Sequence, residues 1–419
     1  MYALVDCNNF FVSCERVFRP ELRNRPVGVL SNNDGCFVAL SNEAKALGIK
    51  RGSPLFQVRD IVRKHGVTIF SSNFSLYAGM SARVMRVLTD SYPEVEIYSI
   101  DEAFINLDGL PVEELPARMK ELRQKIWRWT GIPVSIGIAP TKTLAKVAGH
   151  YAKRYAGYEG VCAIDTEGKR KKALQRLPVG EVWGVGRRSL PKLEAMRVFT
   201  AWDFVQMSEG WVRRNFSING MRTRNELLGI PSVENSEIET KQSICTSRSF
   251  GETVGEKEQL LSSIVCFTTS CAQKLRAQHT VANILSIFIS TDRFKTELPQ
   301  YRQFDTIKLP VATADTSELI AFASKMLDRI YRPGFLYKKA GVIVSGIITD
   351  EAVQQNLFDE VTDRDKRSRL FRAIDHINAN EGGGTVLFAA QGTDGRWQSR
   401  KEHRSPDYLT DINGLLEVK

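Results

Sequence analysis

Three carboxylates are the first residues in this sequence whose types and spacing suggest chemistry. Asp101 and Glu102 stand side by side inside YSIDEAFINL, a run that otherwise suits a buried strand. Successive strand side chains point to opposite faces, so a straight strand would misplace one of the two charges. An unpaired carboxylate in a core is costly or titrates away. The run therefore predicts a bend at Ser99–Glu102, with VEIYS and AFINL as the arms of a hairpin. Asp6 ends the first strand, MYALVD. If the two strands are sheet neighbours, Asp6, Asp101 and Glu102 converge at one edge and repel unless cations lie among them. Hard divalent ions answer that need, and Mg²⁺ suits one or two carboxylates plus the phosphates of a substrate. Two such ions about 3.5–4 Å apart clamp the attacking and leaving oxygens of an in-line phosphoryl transfer. The backbone carbonyl of Cys7 is a further candidate ligand.

Each signal alone has an ordinary explanation. An Asp at a strand end is commonly a turn or cap residue, and Asp-Glu in a hairpin is commonly solvated. Their conjunction with a basic helix argues for a site. Lys142, Lys146 and Lys153 follow a strand, VSIGIA, at spacings of 4 and 7 residues. Eleven residues make about three helical turns, so the three lysines share one face. That helix begins near a strand end, where its N-terminus favours anions; the ordinary alternative is a solvated lysine stripe.

The elements that must position these residues alternate between strand and helix. After MYALVD, the apolar spacing of FFVSCERVF predicts a helix. RPVGVLSN and FVALS read as strands about the turn Asn32-Asn33-Asp34-Gly35, and NEAKALG as a helix. Helices are expected over 77–90 and 112–130, and over TKTLAKVAGHYAKRY with Thr141 as N-cap. This alternation argues for mixed sheet and helix layers. Residues 165–235 carry 13 basic against 8 acidic residues and short helical segments. Residues 236–350 return to strand-like runs such as ANILSIFIST and KAGVIVSGII around an amphipathic helix near 317–332, a second α/β unit. From about 351 the balance turns slightly acidic, and EGGGTVLFAAQG reads as a loosely packed appendage.

With 419 residues the chain is expected to hold two to four domains. Its formal charge of +10 favours a polyanionic partner. Seven scattered cysteines without a C-x-x-C pair, and five dispersed histidines, argue against a disulfide framework, a zinc ribbon or a zinc enzyme. No apolar run reaches the length of a membrane span and no signal peptide is recognisable, so a cytoplasmic protein is expected.

Several ordered motifs then carry a resemblance. VDCNNFF, SNNDGCFVAL, FSSNFSLYAGMSARV, YSIDEAF, GIAPTKTLAKVA, VWGVGRR, SRSFGE and the tail with NANEGGGTVLFAAQG, Trp397 and RSPDY together resemble the Y-family (translesion) DNA polymerases of the UmuC type, over essentially the whole chain. The resemblance implies an α+β multidomain fold, a right-hand polymerase. A ferredoxin-like palm would span 1–20 and 76–164, small fingers 21–75, a helical thumb with a helix-hairpin-helix element 165–235, an α/β little finger 236–350, and a partner-binding tail 351–419. It implies error-prone, template-directed translesion synthesis in the DNA damage (SOS) response, with two Mg²⁺ ions as cofactors.

The resemblance also assigns residues. Asp6, Asp101 and Glu102 match the catalytic, metal-binding carboxylates, with the Cys7 carbonyl beside them. Phe11 matches a steric gate, a flat ring under the sugar that leaves no room for a 2′-hydroxyl, and Phe10 adjoins it in the nucleotide site. Lys153 matches a triphosphate contact. Where many members read Tyr-Glu-Ala-Arg, this sequence reads Asn42-Glu43-Ala44-Lys45. Lys45 meets phosphate as a point charge where Arg would fork, so a reorganised triphosphate grip is expected. Cys36, Val38 and Ala39 would form a small, loose lid over the nascent base pair.

Gly184 and Gly186 would admit a DNA phosphate to backbone N–H groups, with Arg187 and Arg188 adding charge. Arg248, Lys274, Arg276, Arg293 and Lys295 are further phosphate candidates. Gln354, Leu357 and Phe358, in QQNLF, resemble a peptide that docks on the β sliding clamp. The implied partners are primed damaged DNA, dNTPs, a processed UmuD-type dimer, RecA and the clamp, in the bacterial cytoplasm at the nucleoid. Two other readings compete: a nucleotidyl cyclase with a palm-like site, and a non-catalytic DNA-bound scaffold.

Overall fold

A computed structural model describes residues 1–233, 241–353, 361, 363–392 and 397–410. The chain divides into two units: 1–236 with 402–419, and 237–401. The first holds β1 (Tyr2–Cys7), α1 (Phe10–Phe18), β2 (Val27–Leu30), β3 (Phe37–Leu40), α2 (Asn42–Ala46), α3 (Arg59–Lys64), β4 (Thr68–Ser71), α4 (Phe74–Thr89), β5 (Val95–Ile97) and β6 (Glu102–Asn106). It continues with α5 (Leu115–Thr130), β7 (Val134–Ala139), α6 (Lys142–Arg154), β8 (Val161–Ala163), α7 (Glu167–Arg176), α8 (Leu190–Ala195), α9 (Ala201–Gln206) and α10 (Glu209–Leu227).

The main sheet runs β5-β6-β1-β7-β8, and a small second sheet runs β3-β2-β4. β1 lies antiparallel between β6 and β7. Its alternation sorts the two faces of the sheet. Ala3, Val5 and Cys7 pack into a core with α1, α4 and α5. Leu4, with Phe104 of β6, packs against α6 and the helices that follow. The same period of two puts Asp6 on the α6 side with Leu4, and Glu102 there with Phe104.

The expected helices at 10–18 and after Thr141 are present, and the Thr141 hydroxyl caps α6 by accepting from the Leu144 N–H at 3.3 Å. β4, α3 and β8 are short, and no sequence pattern had marked them. α10 is interrupted at Ser217, whose φ of 59° is non-helical, so the segment retains the short helices its composition suggested.

α6 approaches the sheet closely because of one glycine. A Cβ on Gly137 of β7 would stand 2.2 Å from the Ala145 carbonyl oxygen and 2.2 Å from the Gly149 nitrogen, both helix backbone. Gly149 itself has room: its Cβ would meet only Leu4, at 3.6 Å.

The second unit holds β9 (Ser243–Val254), α11 (Lys257–Ala277), β10 (Thr280–Thr291), β11 (Arg302–Thr313), α12 (Thr316–Ile330), β12 (Tyr337–Thr349) and α13 (Arg364–Asn380). Its sheet runs β11-β10-β12-β9, every pair antiparallel, and α11 and α12 share one core with it. Among the described residues, no helix is long and apolar enough to cross a membrane.

The tail corrects the expectation of a loosely packed appendage. α13 is tied down by Arg276 to Asp375, Arg364 to Glu318 and Arg367 to Asp315. Trp397 enters the second core beside Phe267, and its indole N–H donates to Ser262. Residues 402–410 group with the first unit, where Ser405 and Tyr408 are buried. The glycine run that suggested looseness only forms the turn after α13, where the Thr385 N–H donates to the Gly382 carbonyl.

Gly137→Ala is expected to lower stability by about 1–3 kcal/mol through overpacking against helix backbone, whereas Gly149→Ala, with ordinary contacts, is expected to be tolerated. Urea unfolding of the two variants checks this; equal effects would show that backbone approach at Gly137 is not the constraint.

Candidate active site

The three acidic residues reach the same end of the sheet by two different routes. Asp6 and Glu102 are Cα partners across the β1–β6 pairing. Asp101 lies in the bend before β6, where its carbonyl accepts the Cys7 N–H at 2.8 Å and its carboxylate accepts the Ser99 hydroxyl at 2.6 Å. Ser99 Oγ in turn accepts the N–H groups of Asp101 and Glu102, which fixes the bend. Two adjacent acidic residues thus reach one edge because only the second belongs to a strand.

The lysines of α6 are matched to acids one by one. Lys142 pairs with Glu96, Lys146 with Glu102 at 2.7 Å, and Lys153 with Asp6. The stripe runs from buried to exposed: Lys142 is only 2% exposed, whereas Lys153 is exposed and paired with Asp6. Lys146 also lies over the rings of Tyr98, Phe104 and Trp183 at 4.5, 5.7 and 5.0 Å, a cage that orients its ammonium toward Glu102. Trp183 belongs to VWGVGRR, and sequence reasoning had assigned it no part in the site.

Burial pushes the Asp6 carboxyl up to about 6; Lys153 opposes the shift, and the neighbouring Glu102 adds to it. The Cys7 thiol is pushed up by burial and further by Asp6, Asp101 and Glu102. These shifts mark a concentration of negative charge. Among the described residues, no three His, Cys, Asp or Glu side chains form a ready-made metal cluster. The donor chemistry nonetheless fits a hard divalent ion, because Asp6, Asp101 and Glu102 offer carboxylate oxygens at one end of the sheet.

A second charged cluster lies on the small sheet's side. Asn9, at the N-cap of α1 with φ 47°, accepts the Lys45 ammonium at 2.6 Å and donates to Asn42 at 3.1 Å. It joins the two expected phosphate contacts of α2 to the first helix. The Lys45 ammonium is held below its ordinary range by burial, then by the like charges of Lys153 and Arg51. Such clustered cations suit a polyphosphate. Asn9 carries no charge and Arg51 shares only a two-residue basic step with Lys50, so neither stands out in the sequence.

Phe11 is partly exposed and stacks on Tyr77, ring centroids 4.4 Å apart. Phe10, expected beside it in the nucleotide site, is a core residue at 4% exposure, so its side chain is committed to packing. Gly184 adopts φ +93°, a conformation L side chains rarely take, and Arg187 and Arg188 are exposed on the turn before α8. Gly186 sits at that turn, its carbonyl accepting the Ser189 and Leu190 N–H groups.

In the second unit, Arg276 is corrected as a phosphate candidate. Its guanidinium forks onto Asp375 and donates to the Ala314 carbonyl and the Thr316 hydroxyl, so its donors hold α13 in place. Arg248 is exposed but falls on the side of β9 that carries buried Ile244 and Phe250, the helix-covered side. The opposite side of this sheet bears exposed Arg302, Lys308 and Lys339, which sequence reasoning missed because strand parity was unknown there. Gln354, Leu357 and Phe358 lie outside the described residues.

Comparison with known proteins shows the family and the fold. Residues 5–150 match the impB/mucB/samB family, residues 241–357 match its C-terminal domain, and residues 368–418 match a domain of unknown function. Protein UmuC of Salmonella typhimurium is 42% identical over all of both chains. Protein ImpB of the same organism is 42% identical over 98% of this chain and 97% of its own. DNA polymerase IV 1 of Bacillus subtilis is 28% identical over 70% of each. Among solved structures, a Dbh-based Y-family DNA polymerase chimera matches with a TM-score of 0.66 at 18% identity, covering 83% of this chain and 99% of that one. The fold is accordingly the α+β right hand that the sequence implied.

If Lys45 and Lys153 form a polyphosphate pocket, either Lys→Ala variant is expected to bind inorganic tripolyphosphate about tenfold more weakly, the loss of one charge-assisted contact. Arg128→Ala, on exposed α5, is the control. Calorimetry showing wild-type affinity in both lysine variants would remove the pocket.

Proposed function

The chain belongs to the impB/mucB/samB family, the UmuC-type branch of the Y-family DNA polymerases, and from that membership we propose how its first unit carries out translesion synthesis. It is a template-directed DNA polymerase, acting on DNA and nucleotides. The observation that carries the proposed mechanism is the pairing of Asp6 with Glu102 on the sheet face that the α6 lysines neutralise.

In this reading Asp6, Asp101 and Glu102, with the Cys7 carbonyl, would hold two Mg²⁺ ions. When bound, the ions supply Lewis-acid stabilisation to the attacking and leaving oxygens of nucleotidyl transfer. The chain's own residues do the rest. Lys45 and Lys153 bind the triphosphate as point charges, with Asn9 and Asn42 orienting Lys45. Phe11 lies beneath the sugar and excludes a 2′-hydroxyl. Lys146, held by its aromatic cage, pairs with Glu102 and orients its carboxylate. Cys36, Val38 and Ala39 present small side chains to the nascent pair, so shape is checked loosely and damaged templates are accepted.

DNA is gripped through charge without sequence readout. Gly184, Gly186, Arg187 and Arg188 serve a backbone phosphate, with the exposed Arg302, Lys308 and Lys339 on the second unit's sheet. The palm, fingers, thumb, little finger and tail boundaries given above follow from this assignment. A processed UmuD-type dimer, RecA and the β sliding clamp, reached through Gln354, Leu357 and Phe358, complete the proposal, which sets the protein at the bacterial nucleoid. Neither the cyclase nor the scaffold reading draws support from the family.

Purified chain with primed template, Mg²⁺ and partner proteins is expected to extend past an abasic site. Asp101→Asn is expected to reduce extension to background while primed-DNA binding, measured by anisotropy, is retained. Extension that survives this change would displace the metal site from Asp101.

A further inference from the structure

We propose that residues 402–410 are a latch on the first unit that sets the position of the Phe11 ring, so that sugar selection depends on the far end of the chain. The inference rests on the reading of Phe11 as the sugar-contacting ring.

The segment is seated by main-chain bonds. The Ser71 N–H donates to the His403 carbonyl at 3.0 Å, the His403 N–H donates to the Ser71 hydroxyl at 2.9 Å, and Arg404 bridges in parallel to Ser71 at the end of β4. The Glu402 N–H donates to Asp34 at 2.8 Å. Beyond this, Tyr408 stacks on Phe18 of α1 at 4.6 Å, and Leu409 lies where a Cβ on Gly79 of α4 would come within 2.5 Å. The segment therefore touches both helices that carry the Phe11 ring and its supports.

Two polar lines run from it toward that ring. In the first, the Asn73 amide donates to the Ser405 carbonyl, the Ser405 hydroxyl and the Pro406 carbonyl at 3.2, 3.1 and 3.3 Å. Asn73 is also the N-cap of α4, accepting the Leu76 N–H, so it fixes the turn that bears Phe74 and Tyr77. In the second, Ser405 Oγ donates to Glu15 Oε1 at 3.1 Å, and the Tyr77 hydroxyl donates to the same oxygen at 2.7 Å. Glu15 and Phe11 are four residues apart on α1, hence on one face. The Tyr77 ring stacks on Phe11 with an interplanar angle of 13°, and Phe74 meets Phe11 edge-on at 6.0 Å.

Glu15 explains why the serine matters. It is wholly buried, its other oxygen has no hydrogen-bond partner, and burial pushes its carboxyl up to about 6. At neutral pH a buried carboxylate with two donors depends on each of them. Without the Ser405 hydroxyl, Tyr77 alone would satisfy it, and the hydroxyl and ring of Tyr77 move as one body. The part of the chain that matches a domain of unknown function, 368–418, thereby gains a role at the nucleotide site.

The test uses the full-length chain with Ser405→Ala, Ser405→Thr, Tyr77→Phe and Phe11→Ala. Fluorine NMR of a para-fluorinated Phe11 ring is expected to give a shifted or broadened resonance in Ser405→Ala and the wild-type resonance in Ser405→Thr. Discrimination between dNTP and rNTP, as the ratio of kcat/KM values, is expected to fall about 3- to 10-fold in Ser405→Ala and Tyr77→Phe, the scale of one hydrogen bond to a buried charged group. It should collapse in Phe11→Ala, where adding Ser405→Ala changes nothing more. An unchanged ratio in Phe11→Ala removes the reading of the ring itself. A relaxed ratio in Phe11→Ala, with wild-type resonance and discrimination in Ser405→Ala and Tyr77→Phe, overturns the latch alone. So does an equal loss of both substrates at constant ratio, which marks the segment as packing only.

Discussion

The site depends on one electrostatic constraint. A sheet edge that gathers Asp6, Asp101 and Glu102 is stable only if positive charge is supplied close by. The first unit supplies it from a single helix, α6, whose Lys146 and Lys153 reach Glu102 and Asp6. That reach requires the helix to lie almost on the sheet, which Gly137 permits by lacking a side chain. The third lysine, Lys142, is buried on Glu96, so the helix is pinned near its first turn as well as along its length. Backbone packing and charge balance are thus one device. The helix that completes the α6-side core also makes the acidic edge tolerable, and its ammonium groups suit the phosphates of a nucleotide.

Around that centre the fold uses polar side chains to join distant segments. Asn9 ties α1 to α2, and Ser99 ties the acidic bend to itself. Trp183 brings the turn before α8 against Lys146. Glu15, under Tyr77 and Ser405, ties the last described residues to the first helix. All but the Ser99 contacts join residues far apart in sequence. The second unit is built on a different balance. One face of its sheet is closed by helices whose bonds to α13 consume Arg276, and the other leaves Arg302, Lys308 and Lys339 exposed.

Much of this was legible from local pattern. The hairpin around Ser99–Glu102, the helix at Phe10–Phe18 and the Thr141 cap follow from periodicity and turn chemistry and are present, and the first strand runs one residue past the expected end at Asp6, to Cys7. The shared face of the α6 lysines followed from helical spacing alone. Arg276 was misread because an arginine that holds a helix and one that holds a phosphate look alike until the acid beside it is known. The tail was misread because its glycine run signals a turn, while its anchors, Trp397, Ser405 and Tyr408, bury against residues more than a hundred positions earlier.

By itself, then, the sequence determined which residue types stand at the ends of strands and on which side of each helix. Those properties depend on neighbours within a turn or two. It also carried enough ordered motifs to identify the family. Only the tertiary structure decided which lysine neutralises which carboxylate, that Asp101 belongs to a bend and Glu102 to a strand, that Asn9 orients Lys45, and that Ser405 meets Glu15. Such pairings depend on strand register and on the approach of α6 to the sheet, and no local period encodes either.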